Sequence, residues 1–346
     1  MMKAMCLKEL ADLSAVSEPL QTVERPIPLP GSGEVLIKIT TCGVCHTEID
    51  EIEGRTPPPR LPIILGHQAV GRIDKIGPDA HDRQLGERVG VAWIYSTCGK
   101  CKYCQTEREN LCPKFLATGR DVDGGYAEYM VAPAAFVHPI PEVYTSAEAA
   151  PLLCAGAIGY RALRLAQLQP GAPVGLTGFG ASAHLVLKLV RHLYPQLQIY
   201  VFARSEKERC FARELGASWA GDSDEKAPEL LQAIIDTTPV WKPVVNALRQ
   251  LEPGGRLVIN AIRKENYDRE LLADIDYPRD LWLEKTVQSV ANVSRADVRE
   301  FLTLAADIKL QPTVEEFPMA EANKALLALK ERKIRGAKVL RIGHDF

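Results

Sequence analysis

The chain has 346 residues, of which 46 % are hydrophobic and 25 % charged, a composition typical of a globular protein too long for one compact core. Its 42 Lys and Arg residues are balanced by 44 Asp and Glu residues, for a formal net charge of −2 at pH 7. This balance, with no long run of one sign, argues against a nucleic-acid or membrane partner.

The N-terminal stretch MMKAMCLKELADL is soon interrupted by acidic residues and does not predict a signal peptide. No run of 18 apolar residues follows, so no membrane span is predicted. We therefore expect a cytoplasmic protein with reduced thiols. In that setting clustered cysteines indicate metal ligands before disulfides.

Three isolated residues stand out along the first half of the chain. Cys45 lies in GVCHTE, His67 in GHQ and Cys154 in LLCAGAIGYRAL. No spacing rule joins them, because they are far apart in sequence. Taken singly, each is more typical of a small buried thiol or a hydrogen-bonded histidine than of a metal ligand.

Four further cysteines have the spacing C-x2-C-x2-C-x7-C. Thiolates this close can converge on one tetrahedral Zn²⁺ at about 2.3 Å each, and four sulfurs leave no open position. The spacing therefore predicts a structural zinc that holds together a lobe over residues 95–114. Free surface thiols or a redox pair are the alternatives, although free thiols would be open to oxidation. The four cysteines are Cys98, Cys101, Cys104 and Cys112.

Together these motifs resemble the zinc-dependent alcohol dehydrogenases of the medium-chain dehydrogenase/reductase family. In that family a Cys, a His and a second Cys hold a catalytic zinc with one open position, and a four-cysteine lobe precedes the third ligand. The order Cys45, His67, lobe and Cys154 is the same here, and the resemblance extends over nearly the whole chain. It implies two zinc ions per chain, one catalytic and one structural.

The resemblance also implies the fold, which is α/β. We expect a GroES-like, β-rich catalytic domain over residues 1–156 and a Rossmann domain with a doubly wound parallel sheet over 157–293. Residues 294–346 should return to the catalytic domain. Relatives further suggest a homodimer or homotetramer assembled through the cofactor sheets.

Around Cys45 the resemblance implies three roles. Thr47 matches the Ser or Thr that accepts the alcohol proton, and His46 stands where relatives place a cofactor-phosphate contact. Glu48 matches the acid that orients the imidazole of His67. The alternatives are a strand-end hydroxyl for Thr47 and a surface carboxylate for Glu48.

One further position matches the family's substrate pocket, and others carry a residue that differs from the family's. Trp93 aligns with a residue that lines the substrate pocket, but it would equally suit the core. Gln68 replaces a Glu, which should make the zinc a stronger acid. Asp50 replaces a relay His and either passes a proton or faces solvent. Ala337, followed by Lys338, replaces an arginine that often contacts phosphate, which puts that contact in doubt.

The second half of the chain alternates strands and helices. A strand over 173–177 leads into a G-x-G-x-x-A turn and an apolar-periodic helix. Glycines permit close backbone approach, and the helix N-terminus offers amide groups to a pyrophosphate. An ordinary βα turn is the alternative. The residues predicted to contact the cofactor here are Gly178, Gly180, Ala181, Ser182 and Ala183.

Further elements complete a doubly wound parallel sheet. The last strand should finish the sheet at the nicotinamide end, where Ala291 and Val293 would contact the cofactor. The strands are predicted over 198–203, 231–236, 256–262 and 286–293, with one helix ending near 214–217, another over 242–251 and a PGG turn at 253–255.

The end of the second strand bears on the choice of cofactor. NAD-binding folds usually place an acid there, on the ribose hydroxyls. Here Ala203 occupies the position and Arg204 and Ser205 follow, which favours a 2′-phosphate and so NADP(H). The alternative is a solvated Arg204, with Glu206 on the ribose.

The tail begins with Ser294-x-x-Asp297, which predicts a capped helix with one apolar face. The segment 313–346 should then add a strand, a helix and a last strand to the first domain. The remaining cysteines lack partners at metal spacing and are interpreted as packing residues or idle thiols. They are Cys6, Cys42 and Cys210.

These patterns predict an enzyme that interconverts primary alcohols and aldehydes by hydride transfer with NAD(P)(H), through a zinc-bound alkoxide and a proton relay at Thr47. The stretch 50–62 looks like a bacterial subgroup similar to cinnamyl-alcohol dehydrogenases. Two alternatives are a binding protein held together by a structural zinc and a zinc-free quinone or enoyl reductase. Neither would explain Cys45, His67 and Cys154. A polyol dehydrogenase is a further alternative.

Overall fold

The computed structural model describes residues 1–331 and 335–344. It forms two compact units: one comprises Met1–Ala157 and Asn292–Phe346, and the other comprises Ile158–Ala291. The chain therefore passes between units after Ala157 and after Ala291, where the sequence led us to expect residues 156 and 293. No helix in the described part of the chain is long and apolar enough to cross a membrane.

The described residues form β-strands in both units. They are Met2–Leu7 (β1), Leu20–Arg25 (β2), Glu34–Val44 (β3), Ile63–Ile64 (β4), Ala69–Ile76 (β5), Arg88–Val91 (β6), Ile94–Ser96 (β7), Leu116–Ala117 (β8), Tyr129–Pro133 (β9), Val137–Pro139 (β10), Val174–Thr177 (β11), Ile199–Phe202 (β12), Trp219–Gly221 (β13), Leu231–Asp236 (β14), Leu251–Ile259 (β15), Thr286–Ser289 (β16), Val314–Pro318 (β17) and Ala337–Arg341 (β18).

The α-helices connect and cover these strands. They are His46–Ile52 (α1), Ser146–Pro151 (α2), Ala157–Ala166 (α3), Ala181–Leu193 (α4), Glu206–Glu214 (α5), Lys242–Gln250 (α6), Arg295–Asp307 (α7) and Ala322–Lys330 (α8). A π-helical turn over Leu152–Gly156 joins α2 to α3.

The first unit is built around the long strand β3. Its main sheet has the order β10-β6-β5-β3-β18-β17, with β9 also paired to β3, and smaller sheets have the orders β2-β1-β4 and β7-β8. The strand β18 pairs antiparallel with β3, which returns the C-terminal strand to this unit. Buried side chains such as Ile37, Ile73 and Leu340 form the core beneath the sheet.

The second unit contains the predicted doubly wound sheet. Its strand order is β13-β12-β11-β14-β15-β16, and the paired neighbours run parallel. The direction of winding reverses between β11 and β14, which is where ligands bind in open sheets of this kind. The predicted fold class, a GroES-like unit with a Rossmann-type unit, is confirmed.

Two predicted element boundaries in the second unit are wrong. The PGG segment at 253–255 does not separate α6 from a strand but lies inside β15, where the register to β14 shifts and Gly254 has φ of 76°. The last strand ends at Ser289 rather than 293, and Asn292 adopts a φ of 55° that an extended strand cannot continue.

Candidate active site

The site begins where strand β3 runs into helix α1. Cys45 is the N-cap residue of α1, and its backbone N–H donates to Oε2 of Glu48, 2.8 Å away. This is the reach-back contact of a capping box, which satisfies a backbone donor at the helix start. The helix start thereby fixes the backbone of Cys45 and the side chain of Glu48 together.

The other carboxylate oxygen of Glu48 faces the imidazole of His67. Oε1 lies 2.6 Å from Nδ1, and both side chains are almost completely buried, so the surface alternative for Glu48 is wrong. Burial lowers the pKa of His67, but the Glu48 carboxylate and the Cys45 sulfur together outweigh it and raise that pKa well above its usual value. The contact at Nδ1 leaves Nε2 of His67 for a different partner.

That partner is the sulfur of Cys154, which lies 3.2 Å from Nε2 of His67. Cys154 sits in the π-helical turn Leu152–Gly156, a local geometry often found at functional sites. The turn packs closely on helix α7: a Cβ atom at Gly156 would lie only 2.4 Å from Phe301. Glycine at this position therefore lets Phe301 support the turn that presents Cys154.

The structure thus brings the three isolated residues together. One ligand atom each from Cys45, His67 and Cys154 lies within 4.8 Å of the others. Zn²⁺ bonds to sulfur at about 2.3 Å and to nitrogen at about 2.0 Å, so donors this close can share one ion. The hydrogen bond between the two thiols lowers the pKa of Cys45 well below its usual value and raises that of Cys154, which favours a thiolate at Cys45. The donor set fits zinc.

The four-cysteine lobe forms a second cluster with its ligand atoms within 4.8 Å of one another. The sulfur of Cys104 lies 3.5 Å from that of Cys101 and 3.9 Å from that of Cys98. The backbone N–H groups of Cys98 and Lys114 donate to Sγ of Cys112. These N–H···S bonds favour the thiolate, although burial still raises the pKa of Cys112 to about 11. Four sulfurs this close together fit a closed zinc site.

The residues beside Cys45 take different positions. Oγ1 of Thr47 lies 3.6 Å from Sγ of Cys45, whereas His46 is exposed at the first position of α1. Trp93 is half-buried, with its ring centroid 6.5 Å from that of His67 in an edge-on arrangement. The guanidinium of Arg120 lies 5.3 Å from the centre of the Trp93 ring. No sequence signal had marked Arg120.

Asp50 lies at the end of α1 and does not face solvent, so that alternative is wrong. Its carboxylate is buried and accepts a hydrogen bond of 2.6 Å from Nε of Arg55. Its backbone oxygen accepts from the N–H groups of Arg55 and Thr56. Asp50 therefore fixes the turn that follows α1. Gln68 is also buried, packed so closely on Gly43 that a Cβ there would lie 2.5 Å from its Oε1.

The second unit presents the predicted glycine turn between β11 and α4. Gly178 has a φ of 75°, which glycine adopts without strain, and Gly180 is the N-cap of α4 with no side-chain hydrogen bond. The space where a Cβ would stand at Gly180 is open to at least 4 Å. The first helical turn holds Ala181, Ser182 and Ala183. This open, uncapped helix start fits a pyrophosphate.

Two residues that follow β12, Ser205 and Glu206, are engaged within helix α5. Oγ of Ser205 accepts from the N–H of Glu208, so this hydroxyl caps helix α5. The carboxylate of Glu206 is held by Arg209, at 2.9 Å, and by Arg213. Hydrogen bonds from Arg209, Cys210 and Arg213 lower the pKa of Glu206 to about 2. Arg204 is exposed beside them.

The remaining predicted cofactor contacts, Ala291 and Val293, lie on either side of the point where the chain passes between the units. Ala291 is exposed at the end of the second unit, and Val293 is buried in the first unit. Lys338, where relatives place a phosphate contact nearby, is buried and forms an ion pair with Glu315 in the neighbouring strand. Its charge is therefore already neutralised within the first unit.

Comparison with known proteins shows which family the chain resembles. Residues 31–142 match the model of the alcohol dehydrogenase GroES-like domain. A probable alcohol dehydrogenase of Mycobacterium tuberculosis is 40 % identical over 329 residues, which cover 94 % of this chain and 93 % of the relative. An alcohol dehydrogenase of Geobacillus stearothermophilus is 34 % identical over 359 residues, which cover 99 % of this chain and 100 % of the relative.

Solved structures share the fold over the whole chain. An alcohol dehydrogenase of the archaeon Aeropyrum pernix has a TM-score of 0.86 at 25 % identity, covering 98 % of this chain and 100 % of that one. A cinnamyl alcohol dehydrogenase of Sorghum bicolor has a TM-score of 0.84 at 24 % identity, covering 100 % and 98 %, a likeness of fold alone. The chain is therefore an oxidoreductase that belongs to the zinc-type alcohol dehydrogenases of the medium-chain dehydrogenase/reductase family.

Proposed function

We propose that this chain interconverts primary alcohols and aldehydes with NAD(P)(H), using one catalytic and one structural zinc ion. The observation that carries the proposal is the convergence of Cys45, His67 and Cys154 within 4.8 Å of one another, although they are dispersed in sequence. When bound, a zinc ion with an open position supplies a Lewis acid for the oxygen of the alcohol or carbonyl. The nicotinamide ring carries the hydride.

The side chains around that centre have separate tasks in the proposal. Glu48 holds the orientation and tautomer of His67 through Nδ1. Thr47, whose hydroxyl lies 3.6 Å from Sγ of Cys45, accepts the proton of the alcohol. Trp93, whose ring lies edge-on to His67, narrows the substrate site and so favours flat or unbranched substrates. Asp50, whose carboxylate accepts from Arg55, fixes the turn after α1 rather than relaying the proton in this proposal.

Metal analysis combined with activity tests this proposal. We expect two zinc ions per chain and reduction of aldehydes by NADPH or NADH. Cys45→Ser should retain one zinc ion and lose activity, whereas Cys101→Ser should lose the structural ion and lower the melting temperature. Full activity in Cys45→Ser would instead support a zinc-free reductase, and one zinc ion without activity would support a binding protein. The substrate panel should contrast aromatic and aliphatic aldehydes with polyols.

We infer that the cofactor is NADP(H) rather than NAD(H). No acid stands at Ala203, and the Glu206 carboxylate is engaged by Arg209 and Arg213, so the ribose hydroxyls lack an acceptor there. The exposed Arg204 is left as the cation for a 2′-phosphate. We expect Arg204→Ala to lower kcat/KM for NADPH about tenfold with little effect on NADH, since one charge-assisted contact is lost. An equal effect on both cofactors would contradict this.

The proposed assembly is a dimer or tetramer built through the cofactor sheets. Strand β16 lies at the edge of its sheet, and Val287 in that strand is 45 % exposed. An exposed edge strand that carries an apolar side chain such as Val287 favours pairing with a second copy. Sedimentation of the wild type and of Val287→Lys would test this, and a wild-type monomer would refute it. The reduced thiols fit the cytoplasm as the site of action.

A further inference from the structure

A buried ion pair lies at the carboxyl end of the central strands in the second unit's sheet, where the direction of winding reverses. Asp236 ends strand β14, and its register partner Thr177 ends the adjacent strand β11. Asp236 is fully buried, and the side chain of Lys264 is only 6 % exposed. A buried pair of this kind was not marked by any sequence motif.

All the polar groups of this pair are engaged. Oδ1 of Asp236 accepts from the hydroxyls of Thr177, at 2.5 Å, and Thr238, at 2.7 Å, while Oδ2 accepts from Lys264. The ammonium of Lys264 also donates to the backbone oxygens of Thr238, at 2.6 Å, and Val240, at 3.2 Å. Its three donors therefore have three acceptors, and no proton of Lys264 is left for a ligand.

The loop held in this way packs against the first glycine of the cofactor turn. Thr237 donates from its N–H and from its hydroxyl to the backbone oxygen of Thr177, at 3.0 and 2.9 Å. A Cβ at Gly178 would lie 3.0 Å from both Thr237 and Thr238. The loop 237–240 thus forms the wall against which Gly178 is placed.

We propose that Asp236 and Lys264 are positioning residues for the nicotinamide dinucleotide: together they fix the loop 237–240, and the loop fixes the glycine turn that receives the pyrophosphate. Dinucleotides bind in the crevice at this reversal point, and the backbone amides there must already be in place. A buried pair with complete hydrogen bonding serves such a purpose through geometry rather than through net charge. This inference rests on the proposed function.

Direct binding of NADPH and NADH without aldehyde, followed by nicotinamide fluorescence and calorimetry, tests the inference. Lys264→Met should weaken cofactor binding at least tenfold. At saturating cofactor, its KM for aldehyde should change less than twofold. The neutral pair Asp236→Asn with Lys264→Gln should restore most of the affinity, since amides can make similar hydrogen bonds. Lys242→Met, which removes an exposed ion pair with Asp224, is the matched control.

A second variant covers the case in which Lys264→Met does not fold. Thr177→Val keeps the ion pair and the side-chain shape but removes one hydrogen bond to Asp236, and it should weaken cofactor binding about threefold. Cofactor affinity within twofold of the wild type in whichever variants fold would overturn the inference. A wild-type chain that binds neither dinucleotide would overturn the proposed function instead.

Discussion

At the scale of single residues, the candidate centre depends on one carboxylate with two contacts. One oxygen of Glu48 starts helix α1 through Cys45, and the other lies against His67. The sequence allowed these residues to be proposed because their types and order match a known pattern. The contacts of Asp50 with Arg55 and of Trp93 with Arg120 were not predictable, because they depend on where the following turns carry each side chain.

Glu48→Gln is expected to weaken zinc binding at the catalytic position by about 10- to 100-fold, as removal of an orienting carboxylate typically does. Glutamine retains the length of the side chain but loses the charge that faces Nδ1 of His67. Competition with a chromophoric chelator measures the affinity, and the four-cysteine cluster proposed to hold the structural zinc serves as an internal reference. Glu24→Gln, at an exposed position of β2, is the control. Equal affinity in the variant and the wild type would show that Glu48 serves only as a helix cap.

At the scale of elements, the sequence predicted best where local chemistry decides. The strand β11, the glycine turn and helix α4 follow from apolar periodicity and from a glycine with positive φ. The irregular part of β15 was missed because it depends on the register with β14, which local sequence does not contain. The π-helical turn Leu152–Gly156 was also missed. It packs against Phe301, which is distant in sequence, so local sequence does not contain this contact either.

Gly156→Ala tests how closely that turn depends on helix α7. The added Cβ would lie 2.4 Å from Phe301, so the turn or the helix must move. We expect a loss of about 1–3 kcal/mol in the free energy of unfolding, the usual effect of overpacking. Zinc affinity at the catalytic position should fall with it, because Cys154 lies in the same turn.

Urea unfolding and zinc titration measure both effects of this substitution. Adding Phe301→Leu should recover part of the stability, because the smaller side chain leaves room for the methyl group. Gly254→Ala is unsuitable as a control because its φ is 76°. Ala155→Gly changes the same turn without crowding it and should cost only the roughly 0.5–1 kcal/mol of a glycine in a helix. A stable Gly156→Ala protein with normal zinc affinity would contradict this role of Phe301.

At the scale of the whole molecule, each unit contains a buried histidine that stays neutral. His138, in β10, has a pKa lowered to about 3 by burial and by the charges of Arg83, Arg295 and Arg299. Burial and the neighbouring Lys188 lower the pKa of His184, in α4, to about 4. Neither histidine stands in a motif, so no pH dependence of stability could be predicted for them from the sequence.

The direction of that dependence follows from the lowered pKa values. The unfolded chain binds a proton at each histidine once the pH falls below about 6.5, whereas the folded chain resists until about 3 or 4. Stability should therefore be complete above about pH 6.5 and decline as the pH falls toward the folded values. At about pH 5, each histidine should lower the free energy of unfolding by roughly 2 kcal/mol relative to neutral pH.

Substitution of His138 by Gln removes one of these titrations and keeps a polar side chain of similar length. Melting curves at neutral pH and at about pH 5 should then differ less for His138→Gln than for the wild type, by roughly 2 kcal/mol in the free energy of unfolding. His81→Gln, at an exposed position, is the matched control. If His138→Gln loses stability on acidification as steeply as the wild type, the neutral state of His138 does not contribute. The acid sensitivity between neutral pH and about pH 5 would then have to come from other groups such as His184, because Glu206, whose pKa is lowered to about 2, loses its contribution only below its ordinary value of about 4.5.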